Sequence, residues 1–295
     1  MKVAHRAGFV NIIGNPNAGK STLMNALLGT KLSIVTPKAQ TTRHRIMGIL
    51  NGDDYQIVYS DTPGVLDPKY KLQEGMMKSV NGALKDADLI LLVIDCADKH
   101  PFHEATLEKI SKTSIPVFVV LNKYDLVGNE GVNVAFEFWS EKLPNAKVFP
   151  VSALEKIHTR ELLDQVIKVL PESPPYFPKD EMSDRTMRFF VSEIIREKIF
   201  MNYEKEIPYS TEVLIEDYKE EENLIRIAAI ILTERESQKR ILIGHQGSNL
   251  KRVGTQARKD IEAFTGQKVM LTTHVKVDDN WRNDAGKLKN LGYLE

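Results

Sequence analysis

We predict an α/β fold for the first part of this chain, in the form of a doubly wound sheet, and a separate α+β domain after it. Short apolar runs typical of strands occur at residues 9–14, 55–60, 89–95, 117–122 and 147–151. Helical segments alternate with them near residues 19–28, 73–85, 102–112, 131–142 and 159–170. This alternation is typical of βαβ units, and nearly continuous apolar runs indicate strands covered on both faces. Ligands are then expected at the carboxyl ends of the strands.

A proline-rich segment ends this alternation. Four prolines between residues 171 and 178 cannot continue a helix and are typical of an extended, semi-rigid linker. We therefore predict a first domain at 1–170, a linker at 171–182 and a second domain at 183–295. The elements predicted for the second domain are, in order, a helix at 186–203, strands at 210–217 and 223–233 around an acidic turn at 219–222, two helices around 244–247, a strand near 268–277 and a short terminal helix.

Composition excludes several classes of protein. Of the 295 residues, 42% are apolar and 27% are charged, which is typical of a soluble globular protein. Forty lysines and arginines balance 40 aspartates and glutamates, so a nucleic-acid or membrane partner would have to bind a local patch. No apolar run reaches the roughly 18 residues of a membrane span, and we expect no signal peptide because the first six residues lead directly into the first predicted strand. The single cysteine, Cys96, excludes an internal disulfide, and we expect a reducing cytoplasm.

The first motif is a phosphate-binding loop between the first predicted strand and the first predicted helix. It fits the pattern G-x-x-x-x-G-K-[ST], whose glycines let backbone N–H groups point at phosphate oxygens. Lys20 is expected to reach the β- and γ-phosphates, and the Ser21 hydroxyl to ligate Mg²⁺. A glycine turn capped by serine is the alternative, which the flanking strand and helix disfavour. The predicted nucleotide-binding residues here are Gly14, Asn15, Pro16, Asn17, Ala18, Gly19, Lys20, Ser21 and Thr22.

Two further segments are predicted to meet the metal ion and the γ-phosphate. Asp61 ends a strand and is placed to hold Mg²⁺ through water, and the N–H group of Gly64 is placed to sense the γ-phosphate, although Asp-Thr-Pro-Gly alone is also an ordinary turn. A threonine from the segment 40–44 is expected to close over the metal ion, and we favour Thr42 over Thr41. Lys20, Thr42 and Gly64 are therefore the predicted catalytic residues, and Ser21, Thr42 and Asp61 the predicted metal-binding residues.

The third motif, Asn122-Lys123-Tyr124-Asp125, is predicted to select the base. The Asp125 carboxylate can accept hydrogen bonds from N1–H and the exocyclic amino group of guanine, and adenine offers neither donor there. A site built for such hydrogen bonds rejects the wrong base by several powers of ten. Ser152 and Ala153, which end the next strand, resemble the fifth guanine-nucleotide motif, whose backbone N–H meets guanine O6. Together the five segments resemble translation-factor-related GTPases in order and spacing.

Two positions depart from the commonest small-GTPase pattern. Many such enzymes have a glutamine directly after Asp-x-x-Gly that orients the attacking water. Here that residue is Val65, whose side chain forms no hydrogen bond, so intrinsic hydrolysis is expected to be slow or to use another group. Related potassium-dependent GTPases carry an asparagine at the place of Asn17, so K⁺ is a candidate second cofactor beside Mg²⁺. A turn-forming asparagine is the equal alternative.

A glycine loop in basic surroundings marks the second domain. Gly244, His245, Gln246 and Gly247 form G-x-x-G between two predicted helices, and the order of elements matches a type II KH module, which lets a nucleic-acid backbone approach closely. No acidic residue occurs between positions 237 and 259. The basic residues there are Lys239, Arg240, Lys251, Arg252, Arg258 and Lys259. We predict single-stranded RNA binding by this loop and these residues. A domain that only docks protein is the alternative.

Over nearly its full length, the chain resembles the Era family of bacterial GTPases. The resemblance includes the nucleotide motifs with Val65, the proline-rich linker and the basic G-x-x-G loop. It implies a P-loop GTPase domain followed by a type II KH domain, binding to the 3′ end of 16S ribosomal RNA, assistance in assembly of the 30S subunit, a cytoplasmic location and some peripheral contact with the inner membrane. We expect no DNA partner and a monomer.

Three other classes of protein are weighed against this interpretation. A P-loop kinase has no reason to carry the motif at 122–125. A tRNA-modification GTPase should end in a cofactor- or zinc-binding element, which Cys96 alone does not supply. A signalling GTPase whose tail docks protein would not crosslink to RNA through residues 237–259.

Overall fold

The computed structural model describes residues 5–98 and 102–294. They divide into two compact units, one formed by residues up to 69 and 73–184, the other by residues 70–72 and those from 185 onward. In the described residues, no helix is long and apolar enough to cross a membrane.

The first unit is built on a six-stranded sheet. Its strands are β1 (Arg6–Gly14), β2 (Ile46–Asn51), β3 (Tyr55–Asp61), β4 (Leu89–Asp95), β5 (Val117–Asn122) and β6 (Lys147–Pro150). They lie in the order β2-β3-β1-β4-β5-β6. All neighbours are parallel except β2 and β3, which pair antiparallel. The middle of the sheet is fully buried, since residues 89–93 of β4 have no exposed surface. The doubly wound fold is confirmed.

The sequence analysis missed β2 and began one helix too late. β2 carries Gly48 at its centre, and an internal glycine weakens the strand signal. The helices of this unit are α1 (Lys20–Leu28), α2 (Lys71–Ala83), α3 (Glu104–Ser111), α4 (Tyr124–Lys142) and α5 (Thr159–Val169). Helix α4 was predicted only from residue 131. Its first turns are separated from the rest by Gly128, which has a φ of 65° and is not helical.

The proline-rich segment after α5 lies along the edge of this sheet. The fully buried Gln56 side chain accepts hydrogen bonds from the backbone N–H groups of Tyr176 (2.7 Å) and Phe177 (3.0 Å) and donates one to the Phe177 carbonyl (2.8 Å). Farther along, the Met182 carbonyl accepts a hydrogen bond from the backbone of Ile49 in β2 at 2.9 Å. The predicted linker is thus held against the first unit, and it covers backbone groups that an edge strand would otherwise expose.

The second unit places three strands against helices. Its elements are α6 (Met187–Asn202), β7 (Glu212–Glu221), β8 (Leu224–Thr233), α7 (Glu236–Ile243), α8 (Ser248–Thr265), β9 (Val269–Val277) and α9 (Ala285–Asn290). β7 and β8 are antiparallel, and β8 and β9 are parallel. The core lies between the sheet and α6 and α8, and it includes Ile195, Ile231 and Ile261.

One turn of this unit was predicted at the wrong place. Residues 219–221 belong to β7, and Glu221 pairs with Leu224 across the hairpin. An ion pair between Glu221 and Arg226 at 2.8 Å joins the two strands there. Because β7 is an edge strand and this end is exposed to water, charged side chains are tolerated in it.

Candidate functional sites

The phosphate loop joins the end of β1 to the start of α1. The ammonium group of Lys20 donates hydrogen bonds to the carbonyls of Gly14 (3.1 Å) and Asn15 (2.9 Å) and is almost fully buried. Burial lowers the pKa of Lys20 to about 8, and the negative charge of Asp61 opposes that shift. A buried lysine at the amino end of a helix provides what an anion requires.

Asn122 fixes the shape of this loop from the opposite side. Its side-chain nitrogen donates to the Ala18 carbonyl at 2.8 Å, and its side-chain oxygen accepts from the backbone of Ala153 at 3.0 Å. The amide leaves no room for a side chain at Gly19, whose added Cβ would lie 2.2 Å from the Asn122 nitrogen and whose φ is 90°. Asn122 therefore connects two segments of the predicted nucleotide site.

Three oxygen-bearing side chains meet beside Lys20. The Ser21 hydroxyl donates to Asp61 Oδ2 at 2.6 Å and lies 2.9 Å from the Thr42 hydroxyl, which is 3.4 Å from the same carboxylate oxygen. Thr41 is directed elsewhere, since its hydroxyl donates to the Lys38 carbonyl at 2.7 Å. Of the two threonines, Thr42 is the one that joins the cluster.

Asp61 carries the negative charge of this cluster. Burial raises its pKa, while the hydrogen bond from Ser21 and the charge of Lys20 lower it. Among the described residues, its second oxygen, Oδ1, is buried without a hydrogen-bond partner. A carboxylate and two hydroxyls are oxygen donors that suit a hard cation such as Mg²⁺. The donor set therefore fits the predicted metal ion.

Gly64 passes directly over the phosphate loop. An added Cβ would lie 2.7 Å from Pro16 Cα and 2.8 Å from its nitrogen, so only glycine allows this approach. The next residue, Val65, donates its backbone N–H to the Gly14 carbonyl at 3.1 Å. Its side chain is buried in an apolar cluster with Ile13 and Val80. The position after Asp-x-x-Gly thus places its side chain in the core.

We predict that Val65→Gln will not accelerate hydrolysis and will lower the free energy of unfolding by about 1–3 kcal/mol, because a buried amide without partners loses its hydration. Single-turnover GTP hydrolysis and thermal unfolding measure the two effects. Val134→Gln is the matched control, since Val134 is 70% exposed on α4 and should tolerate the same change. An acceleration on the order of 10³ would show that this side chain can reach the attacking water.

A cleft of about 670 Å³ extends from the phosphate loop to the start of α4. The predicted residues that line it are Pro16, Asn17, Gly19, Lys20, Ser21, Thr22, Thr42, Gly64, Asn122, Lys123 and Asp125. The predicted residues that do not line the cleft are Gly14, Asn15, Ala18, Asp61, Ser152 and Ala153. Asp125 is exposed, and the Lys123 ammonium is fixed by Asp95 at 2.5 Å.

Sequence reasoning missed several residues of the cleft. They are Ile34, Val35, Thr36, Pro37, Lys38, Asp95, Ala97, Asp98, Leu126 and Leu154. Asp95 ends β4 at the edge of the sheet where Asp61 ends β3, and this position was a signal for it. The segment 34–38 carries no motif.

In the second unit, the G-x-x-G loop joins α7 to α8. Gly244 and Gly247 have φ values of 72° and 78°. An added Cβ on Gly244 would lie 2.6 Å from Asn249 Cγ, and Asn249 donates to the Ile241 carbonyl at 3.1 Å. Glycine is therefore required at 244, and Asn249 ties the loop to the end of α7. His245 and Gln246 are exposed at its tip.

A groove of about 540 Å³ lies between α8 and β9. It is lined by Gly247, Leu250, Lys251, Gly254, Thr255, Arg258, Leu271 and Thr273. The structure thus places three of the predicted RNA-binding residues in its wall. Those outside the wall are Lys239, Arg240, Gly244, His245, Gln246, Arg252 and Lys259. Gly254 was the available signal for the groove, because an isolated glycine inside a helical pattern usually has a packing or functional reason.

Comparisons with known proteins identify both units. A family model described as 50S ribosome-binding GTPase matches residues 9–123, and a KH-domain model matches residues 206–282. The chain is 44% identical to GTPase Era of Caldicellulosiruptor saccharolyticus over 295 residues, which covers 99% of this chain and 98% of that protein. It is 42% identical to GTPase Era of Syntrophus aciditrophicus, with 99% and 97% covered.

Two solved structures resemble the whole chain. One is Era in complex with MgGDPNP and nucleotides 1506–1542 of 16S ribosomal RNA, with a TM-score of 0.95, 38% identity and 99% and 100% of the two chains covered. The other is a substituted Aquifex aeolicus Era bound to GDP and AlF₄⁻, with a TM-score of 0.94, 38% identity and 98% and 100% covered. The chain belongs to the Era family of GTPases, in which a GTP-hydrolysing domain precedes a KH domain.

Proposed function

We propose that this protein is a Mg²⁺-dependent GTP switch that binds the 3′ end of 16S ribosomal RNA through its KH domain and assists assembly of the 30S subunit. The observation that carries the proposal is that one chain contains both the Ser21–Thr42–Asp61 oxygen cluster and the basic groove between α8 and β9. A neighbour with 38% identity was solved with MgGDPNP and a 16S RNA fragment, which supports the same two ligands here.

At the nucleotide site, Lys20 neutralises the β- and γ-phosphates, and the N–H groups of the loop bind phosphate oxygens. Ser21 and Thr42 would hold the metal ion, and Asp61 would hold it through water. When bound, Mg²⁺ stabilises negative charge on the phosphates. Gly64 brings its N–H group to the γ-phosphate, as its close approach to Pro16 allows.

The base end of the cleft is proposed to select guanine. Asp125 accepts hydrogen bonds from the base, and Asp95 fixes the Lys123 ammonium in the same part of the cleft. Asn122 acts on the shape of the site through the loops that carry Ala18 and Ala153. The backbone of Ser152 and Ala153 is proposed to meet guanine O6. In this structure their N–H groups donate instead to the Ile157 carbonyl (3.2 Å) and to Asn122 Oδ1 (3.0 Å), so one of them must change partner to bind the base.

Because Val65 is buried, another group must orient the attacking water. Asn17 is proposed to ligate K⁺ at this site. Its φ is 62° and its side-chain nitrogen donates to the Pro37 carbonyl at 3.1 Å, so it connects the phosphate loop to the segment before Thr42. The rate of GTP turnover is measured in potassium and in sodium salts. Faster turnover in potassium is expected if Asn17 ligates K⁺, and equal rates are expected if it only forms a turn.

For RNA, we propose that the G-x-x-G loop approaches the backbone while bases enter the groove, where Gly254 leaves space beside Thr273. Lys251 and Arg258 in the groove wall, and the other basic residues of 237–259, neutralise phosphates. The protein is proposed to act as a cytoplasmic monomer without a DNA partner. A peripheral contact with the inner membrane is proposed from the family resemblance alone.

Replacing both His245 and Gln246 with aspartate should eliminate RNA binding, because two negative charges would stand where phosphates approach. The measurement is the affinity for a single-stranded oligonucleotide with the 3′-terminal 16S sequence, at fixed salt. Exposed Asn223 and Gln267, changed to aspartate together, give the control with the same added charge away from the loop. Unchanged RNA affinity in the loop variant would refute the RNA-binding role, while GTP hydrolysis should persist in both variants.

The same assay tests whether the two activities form a switch. RNA affinity is measured with a non-hydrolysable GTP analogue, with GDP and without nucleotide. Thermodynamic linkage requires that RNA tighten GTP binding by the factor by which GTP tightens RNA binding, and coupling of about 1–3 kcal/mol appears as a roughly 5- to 150-fold difference. Three equal affinities would show that the nucleotide does not control RNA binding.

A further inference from the structure

Arg45 lies between Thr42 and the start of β2, outside the nucleotide cleft. Its Nε donates to Ser60 Oγ at 2.8 Å. Its terminal nitrogens donate to the two carboxylate oxygens of Asp86 at 2.6 and 3.0 Å and to Asn11 Oδ1 at 3.2 Å. Only 15% of the arginine side chain is exposed. This planar, two-pronged arrangement is specific to the guanidinium group.

The three partners lie on two strands and on the segment that follows α2. Ser60 and Asn11 are fully buried, on β3 and β1 respectively. Ser60 immediately precedes Asp61. Asp86 follows α2, and Asn11 also donates to Asp86 Oδ1 at 2.8 Å and to the Ala83 carbonyl at 2.6 Å. One side chain therefore connects the segment behind Thr42 to the strand that carries Asp61 and to the end of the helix that follows Gly64.

We infer that Arg45 is a positioning residue for the GTP-bound state. It fixes the carboxyl end of the Thr42 segment, so the Thr42 hydroxyl stays beside Ser21 and Asp61. The inference rests on the proposed role of Thr42 at the metal ion. Asp86 is 54% exposed, and exposed ion pairs contribute little. The buried partners Ser60 and Asn11 therefore matter more for the direction of the guanidinium than Asp86 does.

The relative affinities for a GTP analogue and for GDP distinguish a positioning role of Arg45 from a purely structural one. The first switch of a GTPase is ordered through the γ-phosphate and its metal ion, which GDP lacks. Arg45→Gln should therefore weaken binding of a non-hydrolysable GTP analogue about tenfold, within the usual range of coupling between sites. It should raise the Mg²⁺ concentration for half-maximal turnover by a similar factor. Affinity for GDP should change less than about twofold.

A series of variants tests the contacts. Arg45→Lys keeps the positive charge but lacks the planar, two-pronged guanidinium group. It should recover only part of the preference for the GTP analogue over GDP. Asp86→Asn should have a smaller effect than Arg45→Gln. Arg160→Gln is the matched control, since Arg160 is 78% exposed on α5, pairs with Asp164 at 3.3 Å and should leave both nucleotide affinities unchanged. Nucleotide titration and thermal unfolding are measured for each variant.

The variant Thr42→Ala distinguishes a failure of this inference from a failure of the proposed function. If Thr42→Ala loses affinity for the GTP analogue and Arg45→Gln does not, the inference is wrong and the role of Thr42 stands. If neither variant loses affinity, the proposed role of Thr42 fails as well. Equal weakening of GDP and GTP analogue by Arg45→Gln, together with a lower melting temperature, would show that the residue only stabilises the fold.

Discussion

Lys20→Ala is expected to abolish GTP turnover and to weaken GTP binding. The ammonium group is buried at the centre of the phosphate loop and held by two backbone carbonyls, so no solvent-exposed side chain can replace it. Removing a preorganised charge that stabilises the transition state costs on the order of 10²–10³ in rate. Single-turnover hydrolysis and titration with a fluorescent GTP analogue measure the two losses.

The control is Lys38→Ala, which removes another lysine from the wall of the same cleft. It should retain most of the activity.

A second measurement uses pH. Burial lowers the pKa of Lys20 to about 8, so above this pH the amine must take up a proton to neutralise the phosphates. The affinity of the unsubstituted protein for GTP should therefore fall as pH rises through 8, and Lys20→Ala should not show this fall. Activity retained in Lys20→Ala would exclude the assigned role.

Asp125→Asn should reverse the preference for the base. Asparagine presents an amide N–H where the carboxylate accepted two hydrogen bonds, so GTP binding should weaken and xanthosine triphosphate, which has a carbonyl at that place, should bind better. Where a site is built to form hydrogen bonds with its substrate, discrimination reaches about 10⁴. Competition between GTP and xanthosine triphosphate measures the change.

An effect on folding and a general effect on the cleft can both be distinguished from a change in base preference. Asp125 is exposed, so its substitution should not lower the melting temperature. Asp98→Asn removes a different carboxylate from the lining of the cleft and should leave the base preference unchanged. If Asp125→Asn kept the preference for GTP, the base would have to bind elsewhere in the cleft.

The phosphate loop and the G-x-x-G loop could be predicted from the sequence because each is a short contiguous segment. Its glycines are required by local backbone geometry, as the φ values of Gly19, Gly244 and Gly247 show. The near-continuous apolar runs predicted the parallel strands, because only strands covered on both faces can be apolar throughout. β2, at the edge of the sheet and interrupted by Gly48, lacked that signal.

Other features depend on residues far apart in the chain. The groove wall pairs Lys251 and Arg258 of α8 with Leu271 and Thr273 of β9, and no pattern within either element specifies the other. The composition of the proline-rich segment predicts only a linker. Its hydrogen bonds to Gln56, more than 100 residues earlier, exist only because the folded sheet brings that β3 side chain next to residues 176 and 177.

The sequence by itself determined the family, the two domains' folds and the chemical types of both sites, because these depend on local motifs and their order. Only the tertiary structure decided that Thr42 rather than Thr41 meets Ser21 and Asp61. It also decided that the Val65 side chain enters the core and that Arg45 binds β1, β3 and the segment after α2. Side-chain direction depends on packing between segments distant in sequence, since adjacent residues in an extended chain face opposite sides.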